Sequence, residues 1–347
     1  MRILIVQPVL ALYRVPIFKG ISDTESVSVL KVYSDVSNEF GYVGGDELIY
    51  VEAGWRRCLR WGYTPYSLKV FYKLLKDSTH VIHFSDFKYM TLWYGLFISF
   101  FLRKKFYLHG QGGYKGRQGF FKQFVYTFSV WISSGYICYS EYSKSNIERL
   151  IPSFLHKKLS VVSNSLYMES ENLFDIASKG LFYVGRLREG CGVELALEAA
   201  ESLGITMHVV GGGEYLEQLQ KKYSSASFYG AVFDLDQQKY IASRCMAGIY
   251  GGDAGLSVVH YMAWGLPVIV HSSFEMHMGP EPSYIRDKYN GLLFERENLA
   301  SLKSVIHALD GDLELRKVLS SGALETFDRL SNPRMHEKFL KVLEGKD

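Results

Sequence analysis

The stretch YGGDAGLSVVHYMAWGLPVI, residues 250–269, contains a glycine-rich turn, a short helical pattern and the start of an apolar run. Gly265 and Pro267 end the helical pattern, and the run that follows is typical of a strand. Glycines at the mouth of a helix let the backbone approach a ligand closely, and the positive end of the helix favours a phosphate. His260 lies inside the helical pattern, where it either hydrogen-bonds a ligand hydroxyl or is a satisfied core histidine. The segment therefore predicts an anion-binding turn before a short helix, with a strand after it.

Short apolar, β-branched runs alternate with helical patterns along the rest of the chain. ILIV at 3–6, HVIHF at 80–84 and LPVIV at 266–270 are typical of strands, whereas residues 192–203 and 214–223 have helical patterns. Repetition of strand, helix and strand predicts parallel sheets with helices on both faces. The expected fold class is therefore α/β, with ligands bound beyond the carboxyl ends of the strands.

A polar stretch at 165–180 interrupts this alternation, and a chain of 347 residues is long enough for two domains. We place the domain boundary in that stretch. The sequence then predicts a first doubly wound domain over residues 1–170 and a second over 178–328, facing each other across a cleft. Residues from about 330 to 347 predict a last helix that packs back on the first domain.

Composition limits the class of protein. Apolar residues make up 48% of the chain and charged residues 22%, which is typical of a folded globular protein. The four cysteines have no C-x-x-C spacing, which argues against a metal cluster or a disulfide framework and fits a reducing cytosol. The apolar run at the start is broken by Gln7, Pro8 and Arg14, so it predicts a buried first strand rather than a signal peptide.

Charge is divided unevenly between the two halves of the chain. Residues 1–170 contain 21 lysines and arginines against 12 aspartates and glutamates, and the remainder is net acidic. A basic half favours an anionic partner such as a membrane surface, a phosphate or a nucleic acid. Residues 89–102 form an apolar run too short to span a bilayer. Because Arg-Lys-Lys follows it, the run is either a core helix or a segment that contacts anionic lipid.

Two further features of the second half indicate phosphate binding. Arg186 follows the strand pattern LFYV, at the rim where a doubly wound sheet binds ligands, and its guanidinium could bind a diphosphate or simply be solvated. The turn VVGGGE, residues 209–214, leads from a strand into a helix. It does not match G-x-G-x-x-G, so a dinucleotide site is poorly supported and a tight turn explains it equally well.

A series of motifs resembles glycosyltransferase family 4. In order, they are GRL, VVGGGE, FYGAV, GLSVVHYMAWGLPVI and NGLLF, with PVLALYRVPIF, YLHGQGG, CYSEYSK and VVSNSLY in the first half. The resemblance covers nearly the whole chain and is most specific over residues 181–294. It implies the GT-B fold, in which two Rossmann-like domains face each other. It also implies transfer of a sugar from a nucleotide sugar without a metal or other cofactor, and retention at the anomeric carbon.

The chain departs from this family at positions that matter for the chemistry. The family has two glutamates separated by seven residues, one supporting the donor sugar and one holding the ribose, where this chain has Gly252 and His260. Asp253 could take part of the first role and His260 part of the second. The family lysine that binds the diphosphate is replaced by Cys191, for which Arg188 could substitute. The donor side expected from the resemblance and the motifs comprises Gly185, Arg186, Arg188, Cys191, Gly211, Gly212, Gly252, Asp253, Ala254, Gly255, Leu256, His260 and Glu281.

The first domain is expected to hold the acceptor. His109 follows the strand KFYL, and the resemblance places a histidine there beside the reacting sugar. A neutral imidazole at a strand end can orient a sugar. Tyr13 and Arg14, after the first strand, and Gln111 and Gly112, after His109, would form the acceptor side. The catalytic candidates are His109, Arg186 and Asp253.

Two possible metal sites are weaker interpretations. His277 and Glu281 are ligand types close in sequence, but no third ligand is evident. Asp234 and Asp236 form a D-x-D motif before a helix, where capping of the helix is the better explanation. No metal is therefore expected.

The function predicted is glycosyl transfer of the hexosyltransferase type (EC 2.4). The donor would be a UDP- or GDP-linked sugar, and the acceptor a saccharide or lipid-linked saccharide of bacterial O-antigen, lipopolysaccharide or capsule synthesis. The protein would be cytoplasmic and peripheral on the inner membrane face. A sugar-nucleotide epimerase of the same fold and a catalytically silent GT-B partner protein are the alternatives, and a nucleic-acid binder is the least favoured.

Overall fold

A computed structural model of the protein describes residues 1–8, 11–31, 50–52, 55–58, 62–65, 68–113 and 119–346. The chain divides into two compact units. The first comprises Met1–Ser163 and Pro333–Asp347, and the second comprises Asn164–Asn332. Among the described helices, none is both long and apolar enough to cross a membrane.

The first unit is built on a parallel seven-stranded sheet. Its strands, with a separate antiparallel hairpin of β4 and β5, are β1 (Arg2–Gln7), β2 (Ser26–Lys31), β3 (Tyr50–Glu52), β4 (Trp55–Cys58), β5 (Gly62–Pro65), β6 (His80–Phe84), β7 (Lys105–Gly110), β8 (Gly135–Cys138) and β9 (Leu159–Val161). The sheet order is β3-β2-β1-β6-β7-β8-β9, which reverses direction between β1 and β6. Strands β1 and β6 are buried along almost their whole length because helices cover both faces.

The helices of this unit are α1 (Val15–Ser22), α2 (Leu68–Asp77), α3 (Met90–Phe101), α4 (Phe120–Ile132), α5 (Glu141–Glu148) and, from the end of the chain, α12 (Met335–Glu344). Helix α12 packs on α1. Gly20 makes this approach possible, since a Cβ at that position would lie 2.6 Å from the ring of His336. The last helix therefore belongs to the first unit and buries Met335 and Phe339 there.

The second unit has a parallel six-stranded sheet in the order β12-β11-β10-β13-β14-β15. Its strands are β10 (Gly180–Val184), β11 (Met207–Val210), β12 (Ser227–Phe228), β13 (Cys245–Ile249), β14 (Val268–His271) and β15 (Gly291–Phe294). Its helices are α6 (Val193–Ser202), α7 (Leu216–Lys222), α8 (Leu235–Ala242), α9 (Ser257–Ala263), α10 (Leu299–Gly311) and α11 (Leu313–Ser331). The sheet changes direction between β10 and β13, so the loops after these two strands border the crevice where such folds bind ligands.

The predicted α/β class with two doubly wound parallel sheets is confirmed. The domain boundary differs from the prediction, because residues 164–170 belong to the second unit rather than the first. Hydrogen bonds explain the difference. The amide of Asn164 donates to Glu281 at 2.5 Å, and its carbonyl accepts from the hydroxyl of Tyr284 at 3.2 Å.

Candidate functional site

The loop between β13 and α9 packs against the loop that precedes α6. A Cβ on Gly252 would lie 2.8 Å from the Cα of Gly192 and closer still to the carbonyl oxygen of Cys191. Gly192 has φ +74°, a conformation that favours glycine, and a Cβ there would lie 2.7 Å from the nitrogen of Gly252. The sequence predicts that the glycines at 251 and 252 let the backbone approach a ligand. In the structure they allow this close contact between two backbones. Gly255 differs, since the nearest atom to a Cβ there would be 3.8 Å away.

Asp253 is held in place by two donors from neighbouring strands. Its Oδ1 accepts from Nε2–H of His271, the last residue of β14, at 3.0 Å and from Nε–H of Arg296, just after β15, at 3.1 Å. Burial alone would raise the pKa of Asp253, but the hydrogen bonds and charges of Arg296 and His271 lower it. Asp253 is therefore an ionised carboxylate whose Oδ2 accepts no hydrogen bond from any residue the structure describes.

The two histidines beside Asp253 form a stacked pair with ring centroids 3.7 Å apart. Nδ1 of His277 accepts from the backbone N–H of Ala254 at 3.0 Å, so its Nε2 carries the proton and donates to the carbonyl of His271 at 3.0 Å. Because Nε2 of His271 donates to Asp253, its buried Nδ1 is an acceptor, and it has no hydrogen-bond partner within the described part of the chain. Burial lowers the pKa of His271, and the hydrogen bond to Asp253 opposes that shift.

Asp253, His271 and His277 present ligand atoms within 4.8 Å of one another, a spacing that a metal ion could use. Both ring nitrogens of His277 are already engaged by backbone groups, however, so the donor set suits a hydrogen-bond network that positions Asp253. Glu281, paired with His277 in the weaker metal interpretation, is 3% exposed and bonded to Asn164. Asp234 caps α8 by accepting from the N–H of Gln237 at 2.7 Å, as the sequence predicts.

Arg186 and Arg188 lie exposed in the loop after β10. Nη2 of Arg188 contacts the sulfur of Met278 at 3.2 Å. The glycine turn at 211–213 packs on the same loop, because the backbone N–H of Leu187 donates to the carbonyl of Gly212 at 2.9 Å. A Cβ at Gly211 would overlap the carbonyl of Gly185. The tight-turn interpretation therefore accounts for these glycines, and their role in donor binding stays a prediction.

His260 lies on α9 with its ring stacked on Trp264 at a centroid distance of 5.0 Å. Its side chain is partly exposed, and burial lowers its pKa to about 4, so the imidazole is neutral. Neither its ring nor the N–H groups of residues 255–257 at the start of α9 form a hydrogen bond with the described part of the chain. This edge of the second unit thus combines unpaired donors, a neutral imidazole and an open carboxylate oxygen.

The first unit contains a cavity of about 1070 Å³ at the carboxyl ends of β1, β6 and β7. The acceptor-side residues predicted from sequence all line it, namely Tyr13, Arg14, His109, Gln111 and Gly112. Seven of the other 18 lining residues are aromatic, and α3 and α4 contribute to this lining. The structure thus brings these five residues together, while their function stays a prediction.

His109 is 1% exposed and lies between the rings of Tyr139 and Phe339, at 4.6 and 4.9 Å. Neither of its nitrogens has a hydrogen-bond partner among the residues that the structure describes. Burial, followed by the charge of Arg14, holds the pKa of His109 well below its usual range. The guanidinium of Arg14 lies over the ring of Tyr139 at 5.3 Å. His109 is therefore a buried, neutral imidazole in the wall of a large cavity.

Sequence reasoning missed several of these neighbours. His271 and Arg296 could have been found, because His271 ends β14 and Arg296 lies just after β15, on the same sheet edge as the loop of Asp253. Phe339 gives no such signal, since it reaches His109 only through the packing of α12.

Comparison with known proteins finds matches to glycosyltransferases. Residues 178–312 match the family model described as "Glycosyl transferases group 1". The matched residues lie within the second unit, Asn164–Asn332. An uncharacterised glycosyltransferase of Methanocaldococcus jannaschii is 24% identical over 237 residues, which is 65% of this chain and 63% of that protein's length. The chain thus spans less than two thirds of this relative.

Solved glycosyltransferases share the fold over nearly the whole chain. Anabaena HepE, in complex with UDP and glucose, has a TM-score of 0.69 at 14% identity, covering 99% of this chain and all of that one. A glycosyltransferase from Rickettsia africae has a TM-score of 0.74 at 14% identity, covering 99% and 98%. The lipopolysaccharide outer core galactosyltransferase WaaB has a TM-score of 0.68 at 14% identity and full coverage of both chains. At this identity the likeness shows the fold, which is GT-B.

Proposed function

We propose that the protein is a glycosyltransferase that moves a sugar from a nucleoside diphosphate sugar to a saccharide or lipid-linked saccharide. The proposal rests on the groups that the second unit presents at its edge, around the β13–α9 loop. There an ionised Asp253, a neutral His260 and unpaired backbone donors border the crevice of a segment that matches group 1 glycosyl transferases. HepE, which shares the fold, has been solved with UDP and with UDP-glucose.

The donor would bind through complementary charge. Arg186 and the N–H groups of residues 255–257 would meet the diphosphate, whose negative charge grows as the glycosidic bond to the sugar breaks. Oδ2 of Asp253 would accept from a sugar hydroxyl, because Arg296 and His271 already engage Oδ1. A neutral His260 would exchange hydrogen bonds with ribose hydroxyls. No metal takes part in this scheme.

The acceptor would bind in the cavity of the first unit. Aromatic walls suit the apolar faces of sugar rings, and His109 offers both a donor and an acceptor nitrogen. Retention at the anomeric carbon and a hexosyl donor belong to the same proposal. So does a place in O-antigen, lipopolysaccharide or capsule synthesis, with the protein cytoplasmic and peripheral on the inner membrane face. WaaB supports that setting through the outer core activity in its name.

Calorimetric titration with UDP and with GDP tests donor binding. We expect heat with one of them, and Arg186→Ala should weaken that nucleotide about tenfold or more, as loss of a charge-assisted hydrogen bond does. Arg329→Ala, which removes an exposed arginine from α11, serves as the control and should leave the affinity unchanged. Absence of heat with either nucleotide at millimolar concentration would contradict the proposal.

Product analysis then tests the reaction itself. Incubation with a panel of UDP- and GDP-sugars should release the nucleoside diphosphate, and addition of a lipid-linked saccharide should yield an extended acceptor. Conversion of the donor to an epimer without an acceptor would contradict glycosyl transfer.

A further inference from the structure

The outer sides of α3 and α4 expose large aromatic side chains. Seven of them are between 44% and 84% exposed, and we call this surface the α3–α4 face: Phe97, Phe100, Phe101, Phe120, Phe121, Phe124 and Trp131. Phe154, in the turn Ser153–Lys158, is a further 63% exposed. Contiguous apolar patches of this kind on a protein surface mark sites of contact with a partner or a membrane.

Ring contacts join these residues into one surface. Phe128 stacks on Phe124 at 6.0 Å and lies 6.1 Å from Phe97 on the neighbouring helix. It also contacts Trp131 at 6.2 Å and Trp93 at 6.4 Å. On α4 these residues recur at helical spacing, so they form one stripe, and α3 lies beside it.

The segment of sequence that carries the face is basic. Residues 87–140 contain no aspartate or glutamate, but they contain Lys88, Arg103, Lys104, Lys105, Lys115, Arg117 and Lys122. Arg103 and Lys105 are exposed just beyond the end of α3, and Lys157 is exposed beside Phe154. The ammonium of Lys158 donates to the carbonyls of Trp131 and Ser133 at the end of α4, both at 2.7 Å. Basic side chains thus flank the aromatic rings.

This combination favours an anionic bilayer over a second copy of the chain. In a symmetric dimer the same patch meets itself, which would bring the basic residues together without a compensating acid. Anionic head groups supply the missing charge, and aromatic rings are favoured at the boundary between head groups and acyl chains. Helix α3 has 12 residues, too few to span a bilayer, so it would lie along the interface.

We propose that the α3–α4 face docks on an anionic membrane surface and presents the cavity of the first unit to lipid-bound molecules. The same two helices wall that cavity, through Met90 and Trp93 of α3 and Phe121, Lys122 and Tyr126 of α4. Docking therefore brings the cavity containing His109 next to the head groups. If the proposed function holds, on which this part rests, the acceptor is an amphiphile whose lipid stays in the bilayer while its sugar enters the cavity.

Sedimentation with lipid vesicles tests the docking. The full chain should sediment with vesicles of phosphatidylcholine mixed with phosphatidylglycerol, and much less with phosphatidylcholine alone. The triple variant Phe101→Ser, Phe124→Ser, Trp131→Ser removes rings that do not line the cavity, and its binding should fall at least tenfold. The control variant Phe233→Ser, Ile176→Ser removes apolar side chains of similar exposure from the second unit and should bind like the wild type.

Charge variants test the basic residues that flank the α3–α4 face. Arg103→Gln, Lys105→Gln and Lys157→Gln should each reduce the preference for anionic vesicles about fivefold, because each basic residue near such a surface contributes about 1 kcal/mol to binding. The docking proposal is wrong if the wild type binds neither vesicle or if the triple variant binds as well as the wild type. It is also wrong if the wild type is a dimer that the triple variant dissociates, because a second copy would then cover the face.

Nucleotide binding separates this proposal from the proposed function. The triple variant should retain the nucleotide affinity and the melting temperature of the wild type, because its substitutions lie in exposed positions of the first unit. Vesicle binding without any nucleotide binding would leave the docking surface intact and overturn the glycosyltransferase assignment. Nucleotide binding without vesicle binding would overturn the docking proposal and leave the glycosyltransferase assignment intact.

Discussion

Gly252→Ala should destabilise the second unit, although it adds a single methyl group. An ideal Cβ at this position would lie 2.8 Å from Gly192 Cα, 2.9 Å from Cys191 C and closer still to the Cys191 carbonyl oxygen. Ordinary van der Waals contacts of a Cβ begin at about 3.4 Å. All three atoms are backbone, and Gly192 is held at φ +74°, so neither side can move away without deforming its loop.

The size of the effect follows from this geometry. A methylene inserted into a well-packed site usually costs about 1–3 kcal/mol in the free energy of unfolding. For a domain of this size, each kcal/mol lowers the melting temperature by about 2–4 °C. We therefore expect a decrease of roughly 2–12 °C, together with weaker nucleotide binding, because the N–H groups of residues 255–257 belong to the same loop.

Urea denaturation of Gly252→Ala and of a second variant, Gly255→Ala, measures how much each substitution lowers the free energy of unfolding. Gly255→Ala is the matched control, because it adds the same methyl group three residues further on, where the nearest atom is 3.8 Å away. Its stability should stay within about 0.5 kcal/mol of the wild type. Equal unfolding midpoints for Gly252→Ala and Gly255→Ala would show that the two loops do not meet as described.

Three further predictions concern other parts of the chain. Burial lowers the pKa of His83 to about 4 from 6.5, so the unfolded state binds the extra proton first. The free energy of unfolding contributed by the neutral ring is therefore complete above pH 6.5 and falls as the pH drops towards 4. Urea titrations of the wild type should show this decrease between pH 6.5 and 5, and His83→Gln should make the decrease smaller by about 2 kcal/mol. Arg316 is 4% exposed and donates to the carbonyls of Leu309 and Ser178. Arg316→Met leaves these acceptors unsatisfied and should cost about 1–3 kcal/mol, and a cost like that of a surface substitution would refute its structural role. Arg296→Met removes one of the two donors that fix Oδ1 of Asp253, so the pKa of that carboxyl should rise and its side chain should lose its position. Sugar transfer should then slow by about tenfold or more at neutral pH, and an unchanged rate in a turnover assay would show that Arg296 does not position Asp253 for the reaction.

The sequence by itself determined the class of fold and the position of the loops. Strands β1 and β14 each contain a continuous apolar run because helices cover both faces of a parallel sheet. Strand β2 was missed because only continuous apolar runs were interpreted as strands, whereas SVSVLK alternates serine with apolar residues, the pattern of a half-buried strand. Once the strands are placed, parallel topology puts all the loops at their carboxyl ends on one edge, which is why the acceptor-side residues were found together.

Only the tertiary structure decided which side chains act on one another. Asp253 is separated by 18 residues from His271 and by 43 from Arg296, and His109 contacts Phe339 near the opposite end of the chain. No local pattern encodes such pairs, because they depend on strand order and on which helix returns to which sheet. The same holds for the aromatic residues of α3 and α4. Their sequence fits a core helix and a membrane surface equally well, and only packing shows that one side of each helix is covered while the other is exposed.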